Sequence, residues 1–365
     1  MSHRRRNVSL IFRALLVIAT FSHGIGTFIP YFIGPRFRDA SFVTDEMNDE
    51  LSEICGRSRK SNERGYPWAV SIMLKNGVNR LGGSIISPYH ILTVAHGFMS
   101  FHGGDETPCM MTIYRSLEEI RSRKVAYGGK CIRGTSDFLP NHPRCVKPDV
   151  TFNKIRSVLI DETFVMDGCH RGHDWAIIEL EYRIEFSERI VPICLPPLRP
   201  SIDKVLTIAG WGRSYIFNES GPMIHEIPMI IDSKCGRPVT DKLPYDAPDY
   251  LCATSLNTND YFAPRTCHGD SGAGMEQIDE RGRSILIALT SFGTKGCPSN
   301  ELARFTRVSH YLQPICTFTG ICDNPVQYAE ANKYHEGVTA EIKQSVKWAN
   351  RMLRALICEN ALNEE

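Results

Sequence analysis

The sequence predicts an all-β domain, a sandwich or a barrel, across its central part, and three observations predict it. Short apolar runs rich in Val, Ile and Leu recur from about Cys55 to Cys316. Clusters of Gly, Pro and Asn separate them. Neither heptads nor a repeat of about 20–50 residues runs through the chain, which argues against a coiled coil or a solenoid. Apolar runs of this length between turn formers are strands rather than helices.

In order, the runs are Trp68-Ala-Val-Ser-Ile-Met-Leu74, Ser84-Ile-Ile86, Trp175-Ala-Ile-Ile-Glu-Leu180, Val205-Leu-Thr-Ile-Ala209 and Ser284-Ile-Leu-Ile-Ala-Leu289. The flanks read differently. Arg4, Arg5, Arg6 and Arg13 precede the apolar stretch Ala14–Phe21, the basic-then-apolar order of an export signal. The uncharged stretch continues to Gly34, long enough to span a bilayer at about 20 residues. Residues 1–34 are therefore read as a cleaved signal peptide or an uncleaved signal anchor. Either way the rest is extracytoplasmic, secreted in the first case and membrane-anchored in the second. Residues 35–54 are polar and read as a leader or pro-segment, and 55–316 as the folded domain. In the extension 317–365, Val338, Ile342, Val346, Ala349, Leu353 and Leu356 recur at spacings of four and three. This predicts an amphipathic helix ending near Cys358, docked on the domain or offered to a partner.

Net charge is +1, with 23% charged residues. No basic stripe points to nucleic acid, and a membrane partner is expected only through an uncleaved anchor. The 13 cysteines are scattered, with no CxxC…CxxC or HExxH array. An oxidising compartment and a disulfide framework explain them better than zinc. The odd count leaves one thiol free or bonded to another chain. His170 and His173 beside Cys169 form a weak His-x-x-His pattern, and neither metal nor cofactor is expected from it.

Three segments carry chemistry: Leu92-Thr-Val-Ala-His96, His173-Asp174-Trp-Ala-Ile-Ile178 and Cys267-His-Gly-Asp-Ser-Gly272. Acyl transfer by serine needs a hydroxyl, an imidazole to take its proton and a buried carboxylate to orient the imidazole. Each segment flanks an apolar run, so its polar residue falls at a strand end. Glycines around Ser271 permit a tight turn that aims the N–H groups of Gly269 and Ser271 at one point, where they would stabilise an oxyanion. Asn218-Glu-Ser220 is an N-glycosylation sequon.

With these segments on the page, the chain resembles the trypsin/chymotrypsin family of serine peptidases across about 55–316, and in detail its divergent nematode trypsin-like subgroup. Pro67-Trp68-Ala-Val-Ser71, Gly82-Gly-Ser84, Val191-Pro-Ile-Cys-Leu195, Gly210-Trp-Gly212, Ser291-Phe-Gly293 and Phe305-Thr-Arg-Val308 resemble its landmarks. The resemblance implies two six-stranded antiparallel β-barrels with the active site between them, here followed by a C-terminal helical extension. It implies a triad of His96, Asp174 and Ser271. It implies the disulfides Cys267–Cys297, Cys235–Cys252 and Cys55–Cys194, and it leaves Cys109, Cys131, Cys145, Cys169, Cys316, Cys322 and Cys358 unassigned. It implies protein or peptide substrates, and protein protease inhibitors as further partners.

Five departures from the family pattern follow. Leu81 and Gly97 stand where a disulfide usually flanks the histidine. The stretch between His96 and Asp174 is longer than usual. No Ile-Val-Gly-Gly precedes Pro67, so Asp270 lacks the ammonium that usually pairs with it. Arg57, Arg59, Lys60 and Arg64 are the candidate replacements, and without one the loop would stay zymogen-like. Finally, the resemblance puts Arg265 at the floor of the primary specificity pocket, with Ser291, Gly293 and Ala303 in its lining. Arg265 excludes trypsin-like cleavage after Lys or Arg. It either selects Asp or Glu before the scissile bond by a charge-assisted pair, or turns away and leaves the pocket blocked or unselective. Ala273-Gly274 replaces the usual Gly-Pro. The expected function is a secreted serine endopeptidase, and the alternative is a secreted, catalytically inactive peptidase-like binding protein.

Overall fold

The computed structural model describes residues 28–57, 65–101, 112–133, 143–169, 171–213, 221–233, 235, 247–294, 296–323 and 330–331. Its strands are β1 (Pro30–Ile33), β2 (Ala69–Met73), β3 (Asn79–Ile85), β4 (His90–Thr93), β5 (Met99–Phe101), β6 (Thr112–Tyr114), β7 (Lys124–Tyr127), β8 (Thr151–Asp161), β9 (Ala176–Leu180), β10 (Val205–Gly210), β11 (His225–Asp232), β12 (Tyr250–Ser255), β13 (Gly274–Ile278), β14 (Ser284–Phe292) and β15 (Ala303–Arg307). Helices are short: Asp45–Ile54, Leu117–Ser122, Thr163–Met166 and Leu312–Thr319.

Two antiparallel six-stranded barrels result. In the first, β8 pairs with both β7 and β9, which closes the order β8-β7-β2-β3-β4-β9. In the second, β10-β11-β12-β15-β14-β13 is a closed ring. Closure leaves few exposed edges, which suits a chain built of short strands. Val70, Ile72, Leu81, Ile91, Ile155, Ile178 and Leu180 fill the first barrel, and Leu206, Ile208, Met229, Leu251, Met275 and Phe305 the second.

Residues read as the end of the signal segment and as leader are packed against this body. The last residues of the uncharged stretch form β1, which adds to the open side of β8 with Pro30 opposite Asp161 and Ile33 opposite Val158. A proline opening an edge strand loses no ladder bond that matters. The Phe28 ring lies 5.2 Å from that of Trp175. Thr44 caps the Asp45–Ile54 helix by accepting from the Met47 N–H at 3.3 Å. The chain is then fixed by the Cys55–Cys194 disulfide and by Ser284, whose N–H donates to the Gly56 carbonyl at 3.0 Å. The predicted helix over 338–356 and the Asn218 sequon lie outside the described residues. Among those described, no helix is long and apolar enough to cross a membrane.

Three ties across the barrels position the cleft. The Gly82 N–H donates to the Ser271 carbonyl at 2.7 Å, and the Thr306 hydroxyl to the Asp174 carbonyl at 2.9 Å. The Trp68 indole N–H donates to Glu276 Oε2 at 2.7 Å. Burial raises Glu276 to about 8, with Glu226 adding to the rise and the Trp68 bond opposing it. The folded state therefore keeps this carboxyl protonated where the unfolded chain ionises it, from its ordinary 4.5 upward. Stability is full below that value and falls as pH rises from there to about 8. Glu276→Gln keeps an acceptor for Trp68 and cannot ionise. Urea titrations should find it more stable than the parent at pH 8 and equal to it at pH 4.

Candidate active site

His96 lies in a short 3-10 turn, Ala95–Phe98, that leaves β4. Asp174 immediately precedes Trp175 and β9, and β9 pairs with β4, so the two residues emerge from neighbouring strands. Their contact is double. His96 Nδ1 lies 2.7 Å from Asp174 Oδ2, and the His96 backbone N–H donates to Oδ1 at 2.9 Å. Asp174 is fully buried. The Ser291 hydroxyl also donates to Oδ2. A buried carboxylate with three donors is held in direction. The face of His96 is covered by Phe292, whose ring is 5.3 Å away and inclined 30°.

Ser271 comes from the second barrel, and its backbone is tied to the first. Its carbonyl accepts from Gly82, and the next N–H, of Gly272, donates to Thr290 O at 2.7 Å. Gly272 has φ +82, and a Cβ there would lie 2.2 Å from Thr93 Oγ1, so only glycine permits this approach to β4. Among the described residues the Ser271 hydroxyl makes no hydrogen bond to His96 or to any other side chain. Neither the N–H of Gly269 nor that of Ser271 is taken by another described group, so both are available to a ligand.

Leu81 occupies the space beside the histidine: a Cβ on Gly97 would stand 2.2 Å from Leu81 Cδ1. The leucine packs where a disulfide was absent from the sequence. The structure joins Cys55 to Cys194, Cys235 to Cys252 and Cys267 to Cys297. It adds Cys131–Cys145 and Cys316–Cys322, and Cys169 is also disulfide-bonded. A disulfide sulfur is no metal ligand, and His173 Nδ1 is committed to Asp161 at 2.8 Å.

Asp270 is fully buried. Its Oδ1 accepts from the Gly212 N–H at 2.9 Å and its Oδ2 from the Cys267 N–H at 3.0 Å. No cation pairs with it among the described residues. Arg57 pairs instead with Glu53 at the surface, and 59, 60 and 64 lie outside the described residues. Burial raises the Asp270 carboxyl above its ordinary value, against the field of His225 and the two N–H bonds.

Arg265 is buried below the cleft. Its Nε donates to Cys297 O and its Nη1 to Ala263 O at 3.0 Å, while the guanidinium lies 5.4 Å from the Tyr261 ring centroid. Nη2 is buried with no partner among the described residues. Of the other expected pocket residues, Ala303 is buried at the start of β15, and a Cβ on Gly293 would meet nothing within 4 Å, so that edge is open. Ser291 spends its side chain on Asp174, a role its apolar surroundings in the sequence did not signal. Asn79, whose Nδ2 donates to the Gly269 carbonyl at 2.9 Å, and Phe292 were likewise missed, since an amide and a ring at strand ends are unremarkable until the fold places them.

The family model described as Trypsin matches residues 53–315, well over half of the chain. Relatives include CLIP domain-containing serine protease B15 of Anopheles gambiae, 25% identical over 265 residues, which cover 69% of this chain and 66% of that protein. Transmembrane protease serine 11C of Mus musculus is 24% identical over 303 residues, covering 78% of this chain and 61% of that protein. Proclotting enzyme of Tachypleus tridentatus is 25% identical over 288 residues, covering 74% and 70% respectively. For the first two, the chain spans less than two thirds of the relative's own length.

Proposed function

This chain belongs to the trypsin family of serine peptidases, and from that premise we propose that it is a secreted serine endopeptidase acting through His96, Asp174 and Ser271. Ser271 Oγ attacks the scissile carbonyl. His96 Nε2 takes its proton and returns it to the leaving amine, while Asp174 holds Nδ1–H and so the orientation of the ring. The N–H groups of Gly269 and Ser271 receive the developing oxyanion. Water then resolves the acyl-enzyme by the same sequence in reverse. One observation carries this reading: a fully buried Asp174 gripping His96 at both the ring and the backbone, with the Ser271 turn tied by Gly82 to the barrel that bears them.

Specificity belongs to the same proposal. Nε and Nη1 of Arg265 are satisfied by backbone carbonyls, and among the described residues no carboxylate hydrogen-bonds to the guanidinium, although the field of Asp260 reaches it. The unpartnered Nη2 supports a preference for Asp or Glu before the scissile bond, since a charge-assisted bond there is worth about 1.5–3 kcal/mol, or roughly 10- to 150-fold. The competing reading, a protease-like binding protein without activity, draws on the missing Ile-Val-Gly-Gly, on the lack of a cation paired with Asp270 among the described residues, and on the arginine expected in the pocket.

Labelling of the secreted protein with a fluorophosphonate decides between the two. The parent should label and Ser271→Ala should not; an unlabelled, folded parent favours the binding protein. On a labelled parent, a peptide panel varied only before the scissile bond should rank Glu and Asp above Lys and Arg, and the opposite order refutes the role given to Arg265.

A further inference from the structure

A histidine stands opposite the carboxylate whose usual partner is missing. Asp270 lies between Gly269 and Ser271, whose N–H groups receive the oxyanion, and it is fully buried. Its carboxyl rests on the end of β10. A Cβ on Gly210 would stand 2.5 Å from Asp270 Oδ1, and one on Gly212 would stand 2.3 Å from the same atom. Only glycine at these two positions lets the carboxyl come so close.

β11 runs antiparallel to β10, and its first residue, His225, is the direct partner of Gly210. Residues opposite each other in such a pair carry their Cβ atoms on the same face, about 4.5–5.5 Å apart. The face on which a Gly210 side chain would meet Asp270 is therefore the face from which the His225 side chain starts. The ring nitrogen Nε2 of His225 is buried and makes no hydrogen bond among the described residues.

Other titratable groups reach this corner from the elements around it. Glu226, next along β11, points to the opposite face, where its field falls on Glu276. The Lys130 carbonyl accepts from the Ile224 N–H at 2.9 Å, and Asp149 Oδ1 accepts from the Lys130 and Cys131 N–H groups at 2.9 and 2.7 Å. Arg213 follows Gly212, and its field falls on His268, together with that of Arg80. Among these groups, the one whose field acts on Asp270 is His225. A carboxyl and an imidazole that share one proton titrate as a pair and attract whichever of them holds it. Loss of that proton leaves a buried carboxylate unanswered, which is the costly state.

We propose that His225 is the positioning residue that answers Asp270 within the uncleaved chain, so that the oxyanion loop is ordered without a freed N-terminus. The proposal rests on the peptidase reading. No hydrogen bond joins the two side chains in this structure; the imidazole closes the pair by turning about its own torsions. His225 touches no reacting atom and acts through Asp270. The activity it supports is present while the pair holds its proton and is lost as rising pH removes it.

The test uses the intact secreted chain, its N-terminus sequenced, with His225→Gln, His225→Lys, Asp270→Asn and the double variant His225→Gln/Asp270→Asn. Fluorophosphonate labelling rates and kcat/KM on a peptide ester are followed against pH. The parent should label with residues 57–66 uncut. Loss of one oxyanion donor costs about 10²–10³ in rate, and His225→Gln, which loosens the loop without removing a donor, should lower both rates by about 10- to 100-fold near neutral pH. His225→Lys should stay within about threefold of the parent and carry the alkaline limb upward by about one pH unit or more, since an ammonium keeps its proton to higher pH than an imidazole. A merely structural histidine would leave that limb in place. Asp270→Asn should lose as much as His225→Gln, and the double variant no more than either, because both changes break one pair; this cycle serves if the lysine variant does not fold. An active parent whose His225→Gln variant stays within about threefold of it overturns the proposal alone. So does an unmoved limb in a folded His225→Lys, losses that add in the double variant, or activity that appears only after cleavage within 57–66. A folded parent that neither labels nor hydrolyses overturns the peptidase reading and this proposal with it.

Discussion

Asp174→Asn is expected to lower kcat by about 10⁴-fold, with KM and folding nearly unchanged, a magnitude carried over from serine peptidases of this same family. The reason lies in which atoms carry protons. In the parent, Asp174 Oδ2 lies 2.7 Å from His96 Nδ1 and offers only acceptors, so the proton sits on Nδ1 and the lone pair is left on Nε2. Asparagine fits the same space, but one of its ends is a donor. Oδ1 receives the His96 backbone N–H and Oδ2 receives both Nδ1 and the Ser291 hydroxyl, so every position asks for an acceptor. Placing the NH₂ at the Oδ2 position forces Nδ1 to accept, moves the proton to Nε2, and removes the base that Ser271 needs. Placing it at the Oδ1 position sets it against the His96 N–H, a buried clash of donors. Steady-state kinetics on a peptide ester, normalised to folded protein, measure the effect. A variant within a hundredfold of the parent would mean that another group orients His96.

The parts of this site that could be read in the sequence were polar residues standing at the ends of apolar strands. His96 follows Leu92-Thr-Val, Asp174 precedes Ala176-Ile-Ile178, and Ser271 lies between glycines. Local pattern suffices there, because the chemistry needs a specific side chain where a strand gives way to a loop. Asn79 shows the opposite case. Its partner carbonyl is 190 positions away, and nothing in Val-Asn-Arg marks the amide as more than a turn residue. Ser291 was legible as part of the binding strand, yet its hydroxyl turns to Asp174, a choice made by the packing of the two barrels. The stretch before Gly34 was ambiguous for a physical reason. An uncharged apolar run suits a membrane, and equally the flank of a sheet, and its last residues are found as β1 on β8. The barrels themselves, by contrast, follow from strand length and turn spacing, which are properties of every segment rather than of one contact.

The largest stability effect is expected at Glu179, a carboxylate in the apolar run Ala176-Ile-Ile-Glu-Leu180 and fully buried on β9. Its Oε1 accepts from the backbone N–H of Arg38 at 2.9 Å and from its Nε at 3.0 Å. Its Oε2 accepts from Arg156 Nη1 and from the Ser157 hydroxyl at 3.1 Å. Arg38 extends the grip to the carbonyls of Leu180 and Glu181, and Arg156 to that of Arg36. Burial alone would raise the Glu179 pKa, but these bonds outweigh it and hold the group below its ordinary value. The sign is thus opposite to that of Glu276: this stability is present above the ordinary carboxylate pKa and is lost as pH falls through the lowered one. Glu179→Ala leaves two arginines facing each other without their carboxylate, the situation that typically costs about 3–5 kcal/mol. Glu179→Gln keeps the shape and an acceptor and should cost less. Because Arg36 and Arg38 belong to the segment before Cys55, the loss should also loosen that segment. Denaturation curves at pH 7 would give the size. Hydrogen exchange over residues 28–43 would give the place, with faster exchange there than in β10–β15. Uniform exchange, or a loss under 1 kcal/mol, would show that the segment is held by its apolar contacts with Trp175 and Phe318 rather than by charge.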